Sequence, residues 1–321
     1  MRVLSGIQPS GSLHLGNYFG MMSRMIEYQN QNDLFCFIAN YHALTTLPES
    51  KDLSRNTFNA ACDFLALGLD PEKSTFWLQS DVPQVTELTW ILSSLVNRGL
   101  LDRATSYKDK IAQGLNPNIG LYSYPILMAA DILLFNSQIV PVGKDQKQHL
   151  EMTREIANKF NRKYGNIFVL PKEDIGKNNQ LVPGIDGRKM SKSYNNTIPI
   201  FEKNTIIRKK VMKIITDTAD INDTKNTNTT LFQLYSLFLD ENGQKELELR
   251  YKGKGLRYGD IKQEFFEKIM DYFEPFRKKR QALVDKPSNV IDALKIGSEK
   301  ATKVAEEVLV NVRIATGISE K

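Results

Sequence analysis

Four short runs rich in aliphatic, β-branched and aromatic residues, at 2–7, 34–39, 75–79 and 138–142, alternate with stretches of helical character. Between them, 53–67 and 86–96 carry apolar residues at three- and four-residue spacing, the pattern of helices that turn one face to a core. Strands that alternate with helices build a parallel sheet covered on both faces, so the first part of the chain reads as α/β, a doubly wound parallel sheet of the Rossmann type. From 171 to 199 the sequence is rich in Gly, Pro, Asn, Lys and Ser without a sustained period, which predicts a long mobile loop. Beyond it the chain reads as α-helical, interrupted by a polar Asp/Asn/Thr stretch at 216–230. Two buried stripes stand out there: Ile261, Phe265, Phe266, Ile269, Met270, Phe273 and Phe276, and then Ala301, Val304, Ala305, Val308, Leu309 and Val312. The expected division is therefore 1–187 and 188–321, with the final stripe packing back on the first domain.

Charge follows the same division. Residues 188–321 carry 26 Lys and Arg against 19 Asp and Glu, whereas 1–187 carry 17 against 18, so the excess behind the net +6 belongs to the second part. A concentrated positive balance is the footprint of a surface that meets polyphosphate, although solvated helix faces are often basic as well. No apolar run approaches the ~18 residues of a membrane helix, and the first residues lack a signal-peptide pattern, which predicts a cytoplasmic chain with no membrane partner. Cys36 and Cys62 sit in apolar surroundings without CxxC spacing, so neither a disulfide framework nor a metal site is expected.

The chemistry concentrates at the exit of the first strand, Val3-Leu4-Ser5-Gly6-Ile7-Gln8-Pro9-Ser10-Gly11-Ser12-Leu13-His14-Leu15-Gly16-Asn17-Tyr18, which leads into a helix starting near Asn17. Its glycines let the backbone approach a ligand, and the helix that follows offers free N–H groups and the positive end of its dipole to a phosphate. Neither GxGxxG nor GxxxxGK[ST] is present, so literal dinucleotide and P-loop fingerprints are excluded. By itself the segment is a nucleotide-shaped turn or a tight strand-to-helix loop with an incidental histidine.

Gln8-Pro9-Ser10-Gly11 with His14-Leu15-Gly16-Asn17 resembles the first signature of class I aminoacyl-tRNA synthetases, and Lys189-Met190-Ser191-Lys192-Ser193 matches their second. The resemblance implies amino-acid activation by ATP, in which a carboxylate oxygen meets the α-phosphorus in line and no protein nucleophile is needed. Rate then comes from positioning and from cations placed where charge develops. It also implies catalytic roles for His14, Asn17, Lys110, Lys189, Lys192 and Ser193. On the same grounds Gln8, Pro9, Ser10, Gly16, Asn17, Gly143, Lys144, Asp145, Val182, Lys189, Met190, Ser191, Lys192 and Ser193 would contact ATP. Mg²⁺ would travel with the nucleotide, since no protein-borne metal cluster is visible. Lys108, beside Lys110, reads equally well as a plain solvated lysine.

Which amino acid is activated depends on Tyr124-Pro125-Ile126-Leu127-Met128-Ala129-Ala130-Asp131, where one carboxylate interrupts an apolar helix. An ionised Asp facing that interior costs several kcal/mol without a donor. A surface position, a donor from the protein, or a ligand donor would each answer this. The indole N–H, a single donor on a flat apolar body, suits the last. The string is similar to the tryptophan-binding helix of bacterial tryptophanyl-tRNA synthetases. That resemblance implies a tryptophan pocket of Leu4, Gly6, His42, Tyr124, Met128, Asp131, Val140, Val142 and Gln146, with His149 structural. It further implies tRNA for tryptophan as a partner, a homodimer, and a helical part that meets the anticodon through basic runs such as Lys209-Lys210, 245–257 and Arg277-Lys278-Lys279-Arg280.

Three positions depart from common family patterns: Leu4 replaces an aromatic residue, Asn17 a histidine, and Lys144 an acid. A tyrosyl sister enzyme and a non-catalytic RNA-binding relative remain the alternatives.

Overall fold

The computed structural model describes residues 1–112, 114, 117–143, 146–174 and 181–320, without the side chains of residues 105, 106, 109 and 110. Five strands, β1 (Arg2–Ile7), β2 (Asp33–Ile38), β3 (Thr75–Leu78), β4 (Ile139–Pro141) and β5 (Lys172–Asp174), form one parallel sheet in the order β3-β2-β1-β4-β5. Gly6 pairs with Phe37 and Phe37 with Trp77 in register, while Val3 pairs with Ile139 on the other side of β1. The chain thus winds outward from β1 to β3 and then restarts beside β1 as β4. The winding therefore reverses between β1 and β4, and it is outside the carboxyl ends of the strands at such a reversal that open α/β sheets bind their ligands.

The four expected strands appear within a residue of their expected ends. The fifth corrects the sequence reading: 171–199 is not one shapeless loop, because Lys172–Asp174 pairs with β4. Three successive charged side chains carry no apolar alternation, and an edge strand needs only backbone pairing on one side. The helices over 53–67 and 86–96 are observed as Ser50–Ala66 and Gln84–Ser93. The first helix begins earlier than expected, at Leu15, and passes through a π-helical turn at Tyr18–Met22.

The chain forms two compact units that do not follow a single cut before Arg188. One comprises Met1–Gly11, Met25–Lys177 and Leu283–Lys321; the other comprises Ser12–Arg24 and Asn178–Ala282. The first is built around the sheet, with Leu4, Phe35, Phe37, Trp77, Phe135 and Val140 in its core. Ala301, Ala305, Val308, Leu309 and Val312 of the last helix, Pro287–Thr316, belong to that same core. At Gly297 this helix lies so close to β3 that a Cβ there would stand 1.8 Å from the Phe76 carbonyl oxygen. The second unit is helical around an aromatic cluster in which Tyr18 meets Phe273 at 5.1 Å and Phe238 meets Phe19 at 4.9 Å between ring centroids. Among the described residues no helix is long and apolar enough to cross a membrane.

Candidate active site

In the sheet unit the helix Ile119–Leu133 carries the lone acid of the sequence reading. Asn118 caps this helix, its side-chain oxygen accepting the Leu121 N–H at 2.8 Å. Tyr124, Met128 and Asp131 follow at four- and three-residue spacing and so share one helix face. Asp131 is 3% exposed. Its donors belong to the protein: Gln79 Nε2 reaches Oδ1 at 2.9 Å and Oδ2 at 2.8 Å, and His42 Nε2 lies 3.0 Å from Oδ2. Burial pushes the Asp131 carboxyl above the ordinary carboxylate range, while His42 and then Gln79 pull it back. The question posed by the sequence is therefore answered in part by side chains. Gln79 was not legible as one of them.

Two further residues join this group. Gln146 Oε1 accepts from His149 Nδ1 at 2.8 Å, and His149 Nε2 is hydrogen-bonded to the Tyr124 hydroxyl. His149 is 2% exposed, with both ring nitrogens engaged, and acts as a strut between Tyr124 and Gln146. The Tyr124 and His42 rings stand edge to face, 6.2 Å between centroids, which links the strut to Asp131. Val140 and Val142 are buried at and beyond the end of β4. Leu4 is buried in β1, and Met128 is half-buried. Gly6 has a steric reason, because a Cβ there would come within 2.5 Å of the Phe37 ring. At the exit of β1, Gln8 donates to the His42 carbonyl at 3.2 Å, Pro9 is buried, and Ser10 is exposed. Lys144, Asp145 and the side chain of Lys110 lie outside the described residues. Gly143, next to them, is half-buried.

The second set of expected residues gathers in the helical unit. His14 is the N-cap of the first helix, and its backbone N–H is accepted by the Asn17 side chain at 3.2 Å. The imidazole is 6% exposed, and its Nδ1 is buried without a hydrogen-bond partner among the described residues. Burial first, and the charge of Lys192 second, push the His14 pKa down to about 4, so the ring is neutral at physiological pH. The Gly16 N–H points to Met190 Sδ at 3.2 Å, and a Cβ at Gly16 would press on His14 Nδ1 and Met190 Cβ at 3.0 and 3.1 Å. The two signatures therefore touch directly: Gly16 is small because the histidine and the methionine close over it.

Lys189-Met190-Ser191-Lys192-Ser193 sits on a hydrogen-bonded hairpin. Met190 N–H donates to the Val182 carbonyl at 3.0 Å and Gly184 N–H to the Arg188 carbonyl at 2.7 Å, with Gly187 at φ 79° in the turn. Asn196, 1% exposed, fastens it: Oδ1 accepts the Ser191 N–H at 2.8 Å, and Nδ2 donates to the Lys189 carbonyl at 3.0 Å and to Asp186 at 2.7 Å. Those bonds hold the Asp186 carboxyl below its usual range, the Asn196 bond most of all and the Arg188 bonds after it. Lys189 and Lys192 lie exposed along the hairpin, and the Ser191 and Ser193 hydroxyls are 2.8 Å apart. Asn196 is a second residue that sequence reading missed. It falls just past the signature, in an Asn-rich run that resembles any polar loop.

The basic runs expected to meet RNA are partly engaged within this unit. Arg277 donates to the Ile200 carbonyl and the Asn204 side chain, Lys210 binds Asn195, and Arg250 pairs with Glu264 through two bonds of 2.8 Å.

Residues 1–274 match the family described as tRNA synthetases class I (W and Y). The chain is 49% identical over 319 residues to the tryptophan–tRNA ligase of Campylobacter jejuni, covering 99% of this chain and 100% of that protein. Its fold matches the crystal structure of Campylobacter jejuni tryptophanyl-tRNA synthetase complexed with ADP and tryptophan, with a TM-score of 0.94 at 49% identity over 99% of this chain and 100% of that one. The tryptophanyl-tRNA synthetase of Mycoplasma pneumoniae is similar with a TM-score of 0.86 at 31% identity, over 99% and 98% of the two chains.

Proposed function

The chain belongs to the class I tRNA synthetases of the tryptophan and tyrosine group, and from that premise we propose how its residues carry out the work of a tryptophan–tRNA ligase. Tryptophan and ATP give tryptophanyl-adenylate and pyrophosphate, and the acyl group then passes to the 3′ end of the tRNA with release of AMP. The buried carboxylate of Asp131, with Tyr124 and Met128 on the same helix face, carries the choice of tryptophan. Gln79 and His42 occupy part of its accepting capacity and leave the remainder for the indole N–H. Phenylalanine would leave this acceptor short of a donor, a loss that discriminates far more strongly than pocket size. Val140, Val142, Leu4 and Gly6 line the apolar walls, and Gln146, oriented by His149, takes the ammonium or carboxylate of the substrate.

Family resemblance assigns contacts with ATP, arriving as its Mg²⁺ complex, to Gln8, Pro9, Ser10, Gly16, Asn17, Gly143 and Val182. The neutral His14 ring offers Nδ1 to the nucleotide. A neutral imidazole adds a hydrogen bond there without competing with the lysines for phosphate charge. Lys189 and Lys192 stabilise the charge that develops on the departing pyrophosphate, with Met190, Ser191 and Ser193 shaping the loop that presents them. Roles for Lys110, Lys144 and Asp145 follow from family resemblance alone.

The anticodon-reading surface falls on the helices of 188–282, since the last helix belongs to the sheet unit's core. A homodimer is part of the same reading: Trp90, 78% exposed, and Ile119, also 78% exposed, are large apolar side chains that a second copy would cover. The cytoplasm is the corresponding compartment.

Amino-acid-dependent exchange of labelled pyrophosphate into ATP tests the assignment. Stimulation by tryptophan alone is expected; stimulation by tyrosine alone would replace it with the sister specificity. Asp131→Ala should raise the KM for tryptophan at least about a hundredfold, as expected for a lost buried acceptor, while the KM for ATP stays within about twofold. An unchanged tryptophan KM would remove Asp131 from its role.

A further inference from the structure

Gln79 lies on the short 3₁₀ turn Gln79–Asp81, directly after β3, and is 1% exposed. Its amide cannot turn over. Oε1 accepts two backbone N–H groups, Tyr41 at 3.0 Å and His42 at 3.3 Å, so the NH₂ end must face Asp131. The turn itself is stitched to its neighbour: Asn40 Nδ2 donates to Ser80 Oγ at 2.7 Å, and Ser80 N–H donates back to Asn40 Oδ1 at 3.0 Å. The carboxyl ends of β2 and β3 thus hold one amide in one orientation, its nitrogen within 2.9 Å of both Asp131 oxygens.

We propose that Gln79 is a positioning residue for specificity: by donating to both oxygens of Asp131 it keeps that side chain an acceptor, and so makes the indole N–H the group the pocket selects. The inference rests on the reading of Asp131 as the indole's partner. A buried carboxyl left to itself takes up a proton and becomes a donor, which would face the N–H of the substrate donor to donor. His42, 3.0 Å from Oδ2, opposes this at one oxygen, and the Gln79 amide opposes it at both without contributing charge. A lysine or arginine at position 79 would stabilise the carboxylate as well, but would neutralise it and saturate the lone pairs the substrate needs.

The test compares tryptophan with its benzothienyl analogue, in which sulfur replaces the ring N–H, by pyrophosphate exchange. The readout is the ratio of their kcat/KM values, because damage to the fold lowers both alike. For the unaltered enzyme the ratio should be large. Gln79→Met, similar in length but without a donor, should lower it about ten- to a hundredfold, with the KM for ATP unchanged. Gln79→Asn, which keeps the amide but is one methylene short, should give an intermediate ratio and carries the test if the methionine variant does not fold. Either folded variant with the unaltered ratio overturns the role of Gln79 while the reading of Asp131 stands. A ratio near one in the unaltered enzyme overturns the reading of Asp131 itself.

Discussion

At the scale of single residues, burial governs Asp131 and His14, and His14 makes this measurable. Its pKa falls from an unfolded value near 6.5 to about 4 because the ring is buried and Lys192 adds positive charge nearby. The folded chain therefore prefers the neutral ring, whereas the unfolded chain binds a proton below about pH 6.5. This contribution to stability is complete above that pH and is lost as pH falls toward 4. Between pH 7 and 4.5 the wild-type chain should lose about 2–3 kcal/mol relative to His14→Asn, which has no such proton to bind, in urea unfolding at matched pH. Parallel pH profiles for the two would show that His14 is not held neutral. The residues proposed for the chemistry stand out in the sequence: Asp131 because a lone acid in an apolar helix demands a donor, and His14 with Lys189 and Lys192 because their strings are rare. The residues that hold them do not. Gln79 is 52 positions from the acid it serves, and nothing local in Gln-Ser-Asp tells a buried amide from a solvated turn.

At the scale of elements, the hairpin that bears the second signature shows why low periodicity was read as disorder of shape. Its order comes from cross-bonds of Asn196 and from backbone pairing between Val182 and Met190, neither of which repeats along the sequence. The same holds for β5, whose charged residues pair only through their backbone. Sheet and helices, by contrast, advertise themselves through apolar spacing, so β1 to β4 were legible nearly to the residue, while the two long C-terminal helices were legible as buried stripes but not in their extent, Tyr258–Asp285 and Pro287–Thr316. Asn196→Ala removes the acceptor for Ser191 N–H and the donor for the Lys189 carbonyl, and leaves both backbone groups to water or to nothing. Gly184 lies so close to the Asn196 side chain that a Cβ there would stand 2.2 Å from Nδ2, so the truncation also opens a gap beside Gly184. The expected result is a fall of at least about tenfold in kcat for pyrophosphate exchange, with the KM for tryptophan within about twofold, since the residues proposed to hold the indole belong to the other unit. A rise in the tryptophan KM with kcat unchanged would contradict the assignment of this hairpin to the phosphates.

At the scale of the whole molecule, the chain returns at its end to the unit in which it began. Charge and the loop suggest a single cut at 188, whereas the compact units group 283–321 with the sheet, because charge records what a surface meets and not what a buried stripe packs against. The return is stabilised by the apolar face from Ala301 to Val312 and by polar contacts at its rim, Ser298 to Asp81 at 2.9 Å and Arg313 to Glu87 at 2.7 Å. Its geometric requirement is Gly297, over which the backbone of β3 passes. Gly297→Ala adds one methyl where 1.8 Å is left to the Phe76 carbonyl, a rigid group that cannot rotate aside, so helix and strand must separate. Overpacking of this kind costs about 1–3 kcal/mol or more. Gly259→Ala is the matched control, near the start of the helix Tyr258–Asp285, where an added Cβ meets nothing within 4 Å. There the gain in helix propensity should stabilise the chain by about 0.5–1 kcal/mol. Thermal unfolding of the two variants should therefore move the midpoint in opposite directions from one and the same methyl group, down at 297 and up or unchanged at 259. If Gly297→Ala unfolds at the wild-type temperature, the last helix does not hold this position on β3.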